Sequence, residues 1–238
     1  MRGYRPIDPA SPAGRATGAP SGPAGPAPLA ARSTARVTIA TTLEGVRAII
    51  SYGPGIPDES DLRLCGDVQG KRVIELGAAG GAAVAFAARG AKAIAVDPSA
   101  EALAATRARA AELSEPGEEL RVECHPGDLA DLGFATSGSV DLVFSAVALG
   151  AVDDLARVLR QVHRVLKPGG LFVFSVPHPL TAMLEAGAGR YGDGRTISDI
   201  FMALVRTNFQ VEVLAEPEAR GGSATPPMLV LRCRKLGV

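Results

Sequence analysis

The chain predicts an α/β fold on a doubly wound, mostly parallel sheet of seven strands with an antiparallel C-terminal strand. Three observations predict it. Short apolar runs alternate with helical patterns from Lys71 to Val176, as expected of buried parallel strands covered by helices on both faces. The stretch "VIELGAAGGAAVAF", Val73–Phe86, stops one apolar run at a glycine-rich loop and opens a second. After Pro177 the rhythm changes, and two last strand-like runs follow with no helix between them, which suggests an antiparallel ending.

The elements follow in order. "KRVIEL" reads as a strand, "GGAAVAFAARG" as a helix ending at Gly90, and "KAIAVD" as a strand. "SAEALAATRARAAEL" is a strong helical pattern, with Ser99 as N-cap and Glu101 in the first turn. "LRVECHPGD" and "VDLVFSAVAL" supply two more strands, and paired aspartates open the helix "DDLARVLRQVHRVL". "KPGG" turns into the fifth strand, "LFVFSV". A loop to about Arg195 precedes the helix "ISDIFMALVRTN"; "FQVEVLAEP" and "MLVLRCRK" close the sheet.

A length of 238 residues suits one sizeable domain with a full core. Residues 1–31 are dominated by Pro, Gly, Ala and Ser, which predicts a disordered tail. The folded domain is expected over 32–238. Within it, Val37–Tyr52 shows a mixed helical pattern, and Pro54 and Pro57 force a loop before a short amphipathic piece, Glu59–Leu64.

Composition narrows the function classes. The formal net charge is +0, which gives no field for a nucleic-acid backbone or an anionic membrane. Aromatic residues make up 4% and Trp is absent, so a base-stacking platform is not expected. Cys65, Cys124 and Cys233 are scattered, without a C-x-x-C pair or a His at ligand spacing; neither a metal site nor a disulfide framework is expected. No apolar run approaches the roughly 20 residues that cross a bilayer, and no secretory leader is apparent. These features suit a cytoplasmic protein and leave its oligomeric state open.

The glycine loop lies where a doubly wound sheet binds ligands, beyond the carboxyl end of a strand. Asp97 closes the next strand 20 residues after Gly77, the span of one βαβ step. A dinucleotide loop would read G-x-G-x-x-G for a pyrophosphate; here Ala79 stands at the second glycine. Taken alone, the loop is equally a tight strand–helix turn beside a solvated Asp97.

Further motifs fall into step. Asp128 closes the third strand in "HPGDL", and "RVLRQVHRVLKPGGLFVFSVPHP" follows the fourth. Together, Val73–Pro179 resembles the class I S-adenosylmethionine-dependent methyltransferases, in particular their small-molecule, type 11-like branch. The likeness extends through "YGPGIPDESDLRLCGDVQG" upstream and "RTISDIFMALVRTNFQVEVLAEPEA" downstream. It implies a Rossmann-like fold, S-adenosylmethionine as cofactor, no metal, and methyl transfer to a small-molecule O, N or C nucleophile. Residues 32–65 would form an N-terminal helical cap over the cofactor site.

The resemblance also implies roles. Glu75, Gly77 and Gly81 match fixed positions of the loop around the methionine part of the cofactor, with Ala78 and Ala79 between them. Ala79 replaces a family glycine, which restricts φ and allows reduced affinity or a shifted cofactor. Asp97 matches the acid for both ribose hydroxyls, and Pro98 the neighbour against adenine. Asp128 matches the acceptor for the adenine amino group, with Leu129 lending its backbone N–H. Ser145 and Ala146 would line the sulfonium end, and Tyr52 would fold over the cofactor. Leu149-Gly150-Ala151 stands where relatives often carry an aromatic or His. His178, in "SVPHP", is the candidate general base; shaping the loop between two prolines is its other reading. A catalytically idle cofactor-binding protein and an NAD-binding oxidoreductase are the alternatives.

Overall fold

The computed structural model describes residues 48–115, 119–187 and 190–237. The expected tail 1–31, and the part of the helical cap up to residue 47, lie outside the described residues. Residues 48–58 form no helix, so the helical reading of Val37–Tyr52 fails where it can be checked. Ile50 and Tyr52 are buried there, and the short helix α1, Glu59–Leu62, follows.

Seven strands form one sheet: β1 Arg72–Leu76, β2 Lys92–Asp97, β3 Val122–Pro126, β4 Val140–Ala146, β5 Leu166–Pro177, β6 Phe209–Ala215 and β7 Met228–Lys235. Their spatial order is β3-β2-β1-β4-β5-β7-β6. Strands β1 to β5 pair in parallel, and β7 runs antiparallel between β5 and β6. The parallel half is covered on both faces, which explains the near-continuous apolar runs. On one face Ile74, Leu76, Val143, Phe172 and Phe174 pack under helices α4 (Leu155–Val165) and α6 (Ile197–Arg206). On the other, Val73, Leu142, Phe144 and Val173 pack under residues 50–68, α2 (Ala82–Ala87) and α3 (Ala100–Glu112).

Local sequence sets the helices. In α4 the buried residues are Leu155, Val158, Leu159, Val162 and Val165, one stripe at helical spacing. Asp154 caps its start by accepting from the Arg157 N–H at 2.8 Å. Ser99 caps α3 through the Ala102 N–H.

Two elements depart from expectation. "LKPGG" belongs to the run of β5: Leu166 pairs with Val140 and Leu171 with Leu142, so Lys167–Gly170 bulge out between two paired positions. The segment expected as a loop to Arg195 contains helix α5, Pro179–Glu185. Pro179 sits in its first turn and the His178 ring supplies the cap, two start signals with no long apolar stripe behind them.

Strand order reverses between β1 and β4, so crossovers leave this pair in opposite directions. That point opens a crevice outside the carboxyl ends of the strands.

Candidate functional site

Beyond those ends lies a cleft of about 730 Å³, lined by Gly77, Asp97, Pro98, Asp128, Leu129, Ala130, Ala148, Ala151, Val152, Asp153, Asp154 and Arg157. Its size suits a cofactor-sized molecule. Five of the residues expected at a ligand (Gly77, Asp97, Pro98, Asp128 and Leu129) meet here.

The loop after β1 is a single 3₁₀ turn, Ala78–Gly80, bracketed by Gly77 at φ 87° and Gly81 at φ 68°. Those two positions require glycine. Ala79 is exposed and is not among the described non-glycine residues at positive φ, so alanine fits without strain. The Asp97 carboxylate holds the turn: Oδ2 accepts from the Ala78 N–H at 2.8 Å and Oδ1 from the Ser99 N–H at 2.7 Å. Each oxygen keeps a further lone pair.

Glu75 is not among the residues that line the cleft. It is fully buried, and its two oxygens accept from the N–H groups of Ala82 and Ala83 at 3.0 and 2.7 Å. It thereby caps α2 and fixes the far side of the glycine loop. Burial pushes its carboxyl up to about 7, with Asp97 adding and the two amides opposing.

Asp128 follows β3. Its Oδ1 accepts from the Ala130 N–H at 2.8 Å, forming a tight turn, while Oδ2 lies 3.8 Å from Arg157 Nη1. Both side chains are solvent-accessible, so this pair is weak.

The fourth wall is the turn after β4. Val147 adopts φ 67° and ψ −40°, an outlier for a β-branched residue and a sign of stored strain. It is held by its N–H, which donates to the Ser175 carbonyl at 3.0 Å. A 3₁₀ turn, Ala148–Ala151, then leans on the glycine loop. A Cβ on Gly150 would lie 2.6 Å from Cδ of Pro177. Leu149 is fully buried and fills core instead of lining the cleft.

Four other expected residues lie elsewhere. Ser145 is buried and donates to the Leu76 carbonyl at 2.8 Å, tying β4 to β1. Ala146 is half-buried beside Gly80. Tyr52 is core: its ring packs against Phe144 at 5.6 Å and its hydroxyl donates to Glu59. His178 is 4% exposed; Nδ1 accepts from the Leu180 N–H at 3.2 Å and Nε2 lies 2.9 Å from Glu216 Oε1.

Sequence reasoning did not assign Ala148, Asp153, Asp154 or Arg157 to a ligand. The paired aspartates were visible, but only as a helix start. A groove at the other end of the sheet, lined by Arg72, Lys92, Arg121, Glu119 and Glu123, holds none of the expected residues.

The donor set discriminates between ligands. Four carboxylates and one guanidinium surround the cleft, an arrangement that repels a pyrophosphate and attracts a cation. Asp97 and Asp128 offer free lone pairs to O–H and N–H donors, as a ribose and an aminopurine present. Those features fit S-adenosylmethionine, which is positively charged at sulfur and carries no phosphate. Fold and cleft together define a Rossmann-like domain for a cationic nucleoside cofactor.

Comparison with known proteins agrees. Residues 74–174 match the family model described as a methyltransferase domain, which supports the likeness to the class I S-adenosylmethionine-dependent methyltransferases. A curated relative, malonyl-[acyl-carrier protein] O-methyltransferase 1 of Coxiella burnetii, is 33% identical over 118 residues, 47% of this chain and 41% of the relative. The chain thus spans about two fifths of that relative's length. The crystal structure of an S-adenosylmethionine-dependent methyltransferase from Mesorhizobium loti is 26% identical with a TM-score of 0.55, covering 73% of this chain and 94% of that one. A geranyl diphosphate methyltransferase in complex with its cofactor shares the fold at 17% identity and a TM-score of 0.59, over 75% of this chain and 84% of that one. No helix among the described residues is long and apolar enough to cross a membrane.

Proposed function

We propose that the protein is a cytoplasmic S-adenosylmethionine-dependent methyltransferase for a small molecule whose accepting atom arrives already ionised, a carboxylate oxygen above all. One observation carries the acceptor class. In neutral His178 the proton sits on Nε2, facing Glu216, because Nδ1 already accepts the Leu180 N–H. Neither nitrogen has a lone pair left for a substrate proton. A carboxylate acceptor needs no base, whereas an alcohol or ammonium does.

S-adenosylmethionine, when bound, supplies a methyl group made electrophilic by its positive sulfur. The chain supplies position. Asp97 would accept from the ribose hydroxyls and Asp128 from the adenine amino group, with Pro98 and Leu129 as walls. The glycine loop and the turn at Ala148–Ala151 would flank the methionine portion. Holding two reactants in line is worth up to roughly 7–11 kcal/mol, so positioning alone accounts for much of such a catalyst. The carboxylate reading agrees with the curated relatives whose names state O-methylation of malonyl-acyl carrier protein.

Labelled cofactor and panels of small carboxylic acids, malonyl thioesters, phenols and amines test this. The expected product is a base-labile methyl ester. A base-stable methyl on nitrogen or carbon would overturn the acceptor class. Absence of S-adenosylhomocysteine binding by calorimetry would overturn the cofactor reading.

A further inference from the structure

We propose that Arg195 is a positioning residue for the cofactor cleft, holding the turn after β4 against the glycine loop. The proposal rests on the reading of that cleft as the cofactor site. The half-buried Arg195 guanidinium donates from Nη1 to the Leu149 carbonyl at 3.2 Å. From Nη2 it donates to the Val152 carbonyl at 2.6 Å and reaches that of Asp153 at 3.4 Å. Among the described residues no other side chain donates to a carbonyl of the segment 147–153. One planar fork therefore gathers the end of this turn, a geometry the point charge of lysine does not reproduce.

The anchor of the fork is rigid. Arg195 immediately precedes Thr196, the N-cap of α6, whose side chain and Asp199 cap each other reciprocally. Behind the cap, Ile200 and Leu204 are buried under the sheet with α4. The position of α6 is thus transmitted through one side chain to carbonyls some 42–46 residues earlier in the chain.

What the fork holds is a strained turn. Val147 at its start sits at φ 67°, and Ala148 at its near end touches the loop where Gly77 has no Cβ. Ala148, Ala151, Val152 and Asp153 all line the cleft. A strained segment keeps its geometry only where its surroundings over-determine it, and Arg195 is part of that determination. Arg195 and the cap of α6 behind it are thereby coupled to the turn that walls the cleft.

Two measurements test this on the full chain. Calorimetry with S-adenosylhomocysteine at 25 °C should show about tenfold weaker binding for Arg195→Ala, the loss of roughly one charge-assisted hydrogen bond. Free guanidinium at a non-denaturing concentration should restore the affinity, and Arg195→Lys should lie between. Arg220→Ala, which removes an exposed pair with Asp61, should bind as the parent does. Hydrogen exchange without ligand should be faster at amides 148–153 in Arg195→Ala. Unchanged exchange there would overturn the inference even if the parent fails to bind S-adenosylhomocysteine. Faster exchange with unchanged affinity would also overturn it, reducing Arg195 to a structural brace while leaving the cofactor reading intact.

Discussion

A Cβ placed on Gly77 would lie 2.3 Å from the Cβ of Ala148. The two residues belong to loops that leave adjacent strands, and their contact sets the width of the cleft. Gly77 also sits at φ 87°, where an L side chain costs on the order of 1–3 kcal/mol. Gly77→Ala should therefore lower the melting temperature and abolish measurable S-adenosylhomocysteine binding. Ala148→Gly in the same background removes the collision but not the strained φ. The double variant should recover part of the binding and little of the stability.

Ala79→Gly should do almost nothing to binding. The family glycine at this position suggested a handicap, but the turn needs positive φ only at Gly77 and Gly81. A glycine here adds freedom to the unfolded chain, worth about 0.4–1 kcal/mol of lost stability. Thermal melts should show that small loss, and calorimetry an unchanged affinity. Tighter binding of S-adenosylhomocysteine would show that the methyl of Ala79 obstructs the cofactor.

These two loops also mark what the sequence could reveal. Strand–helix alternation exposed the parallel half because buried strands have a composition of their own, and Asp97 and Asp128 could be placed at strand ends by counting. Orientation was hidden. Nothing in the residue string separates Glu75, turned inward to cap α2, from Asp97, turned toward the cleft, although both sit at the ends of adjacent strands. Tyr52 and Ser145 were expected at the ligand for the same reason, and both spend their polar atoms inside the core. Helix α5 escaped because it is short and takes its start from a histidine ring. Arg195 acts across more than 40 residues, beyond any local pattern.

Glu75 makes stability depend on pH. Its carboxyl stands at about 7 in the folded chain, raised first by burial, against about 4.3 for an unperturbed Glu. Between those values the folded state holds more proton than the unfolded one, so this group's contribution is full below about pH 4 and is lost as pH rises toward 7. The slope approaches about 1.4 kcal/mol per pH unit at most. Glu75→Gln removes the titration and one of the two caps. Denaturant melts from pH 5 to 8 should show the variant less stable throughout, with the gap to the parent narrowing as pH rises. A gap that widens with pH would show that the two amide donors outweigh burial.

Arg157 stands opposite Asp128 across the mouth of the cleft, at 3.8 Å and open to solvent. Exposed pairs contribute about 0–1 kcal/mol, so Arg157→Ala should leave stability almost unchanged. It removes the only cation among the lining residues, which makes the cleft still more favourable to a positive ligand. The variant should bind S-adenosylmethionine at least as tightly as the parent in low salt, with the difference shrinking as salt is raised.

His178 separates a base from a brace. A general base would lose about 10²–10⁴-fold in turnover on removal, with the acidic limb of the pH profile gone. As a cap, its Nδ1 does what an asparagine oxygen does equally well at a helix N-terminus. His178→Asn should therefore keep turnover within a few-fold of the parent and preserve the shape of the profile. His178→Ala should lose about 1 kcal/mol of stability from the missing cap, with turnover again within a few-fold of the parent. Glu216→Gln retains an acceptor for the Nε2 proton and should behave like the parent. A hundredfold fall in turnover for His178→Asn, with stability intact, would restore the base and with it an acceptor that must shed a proton.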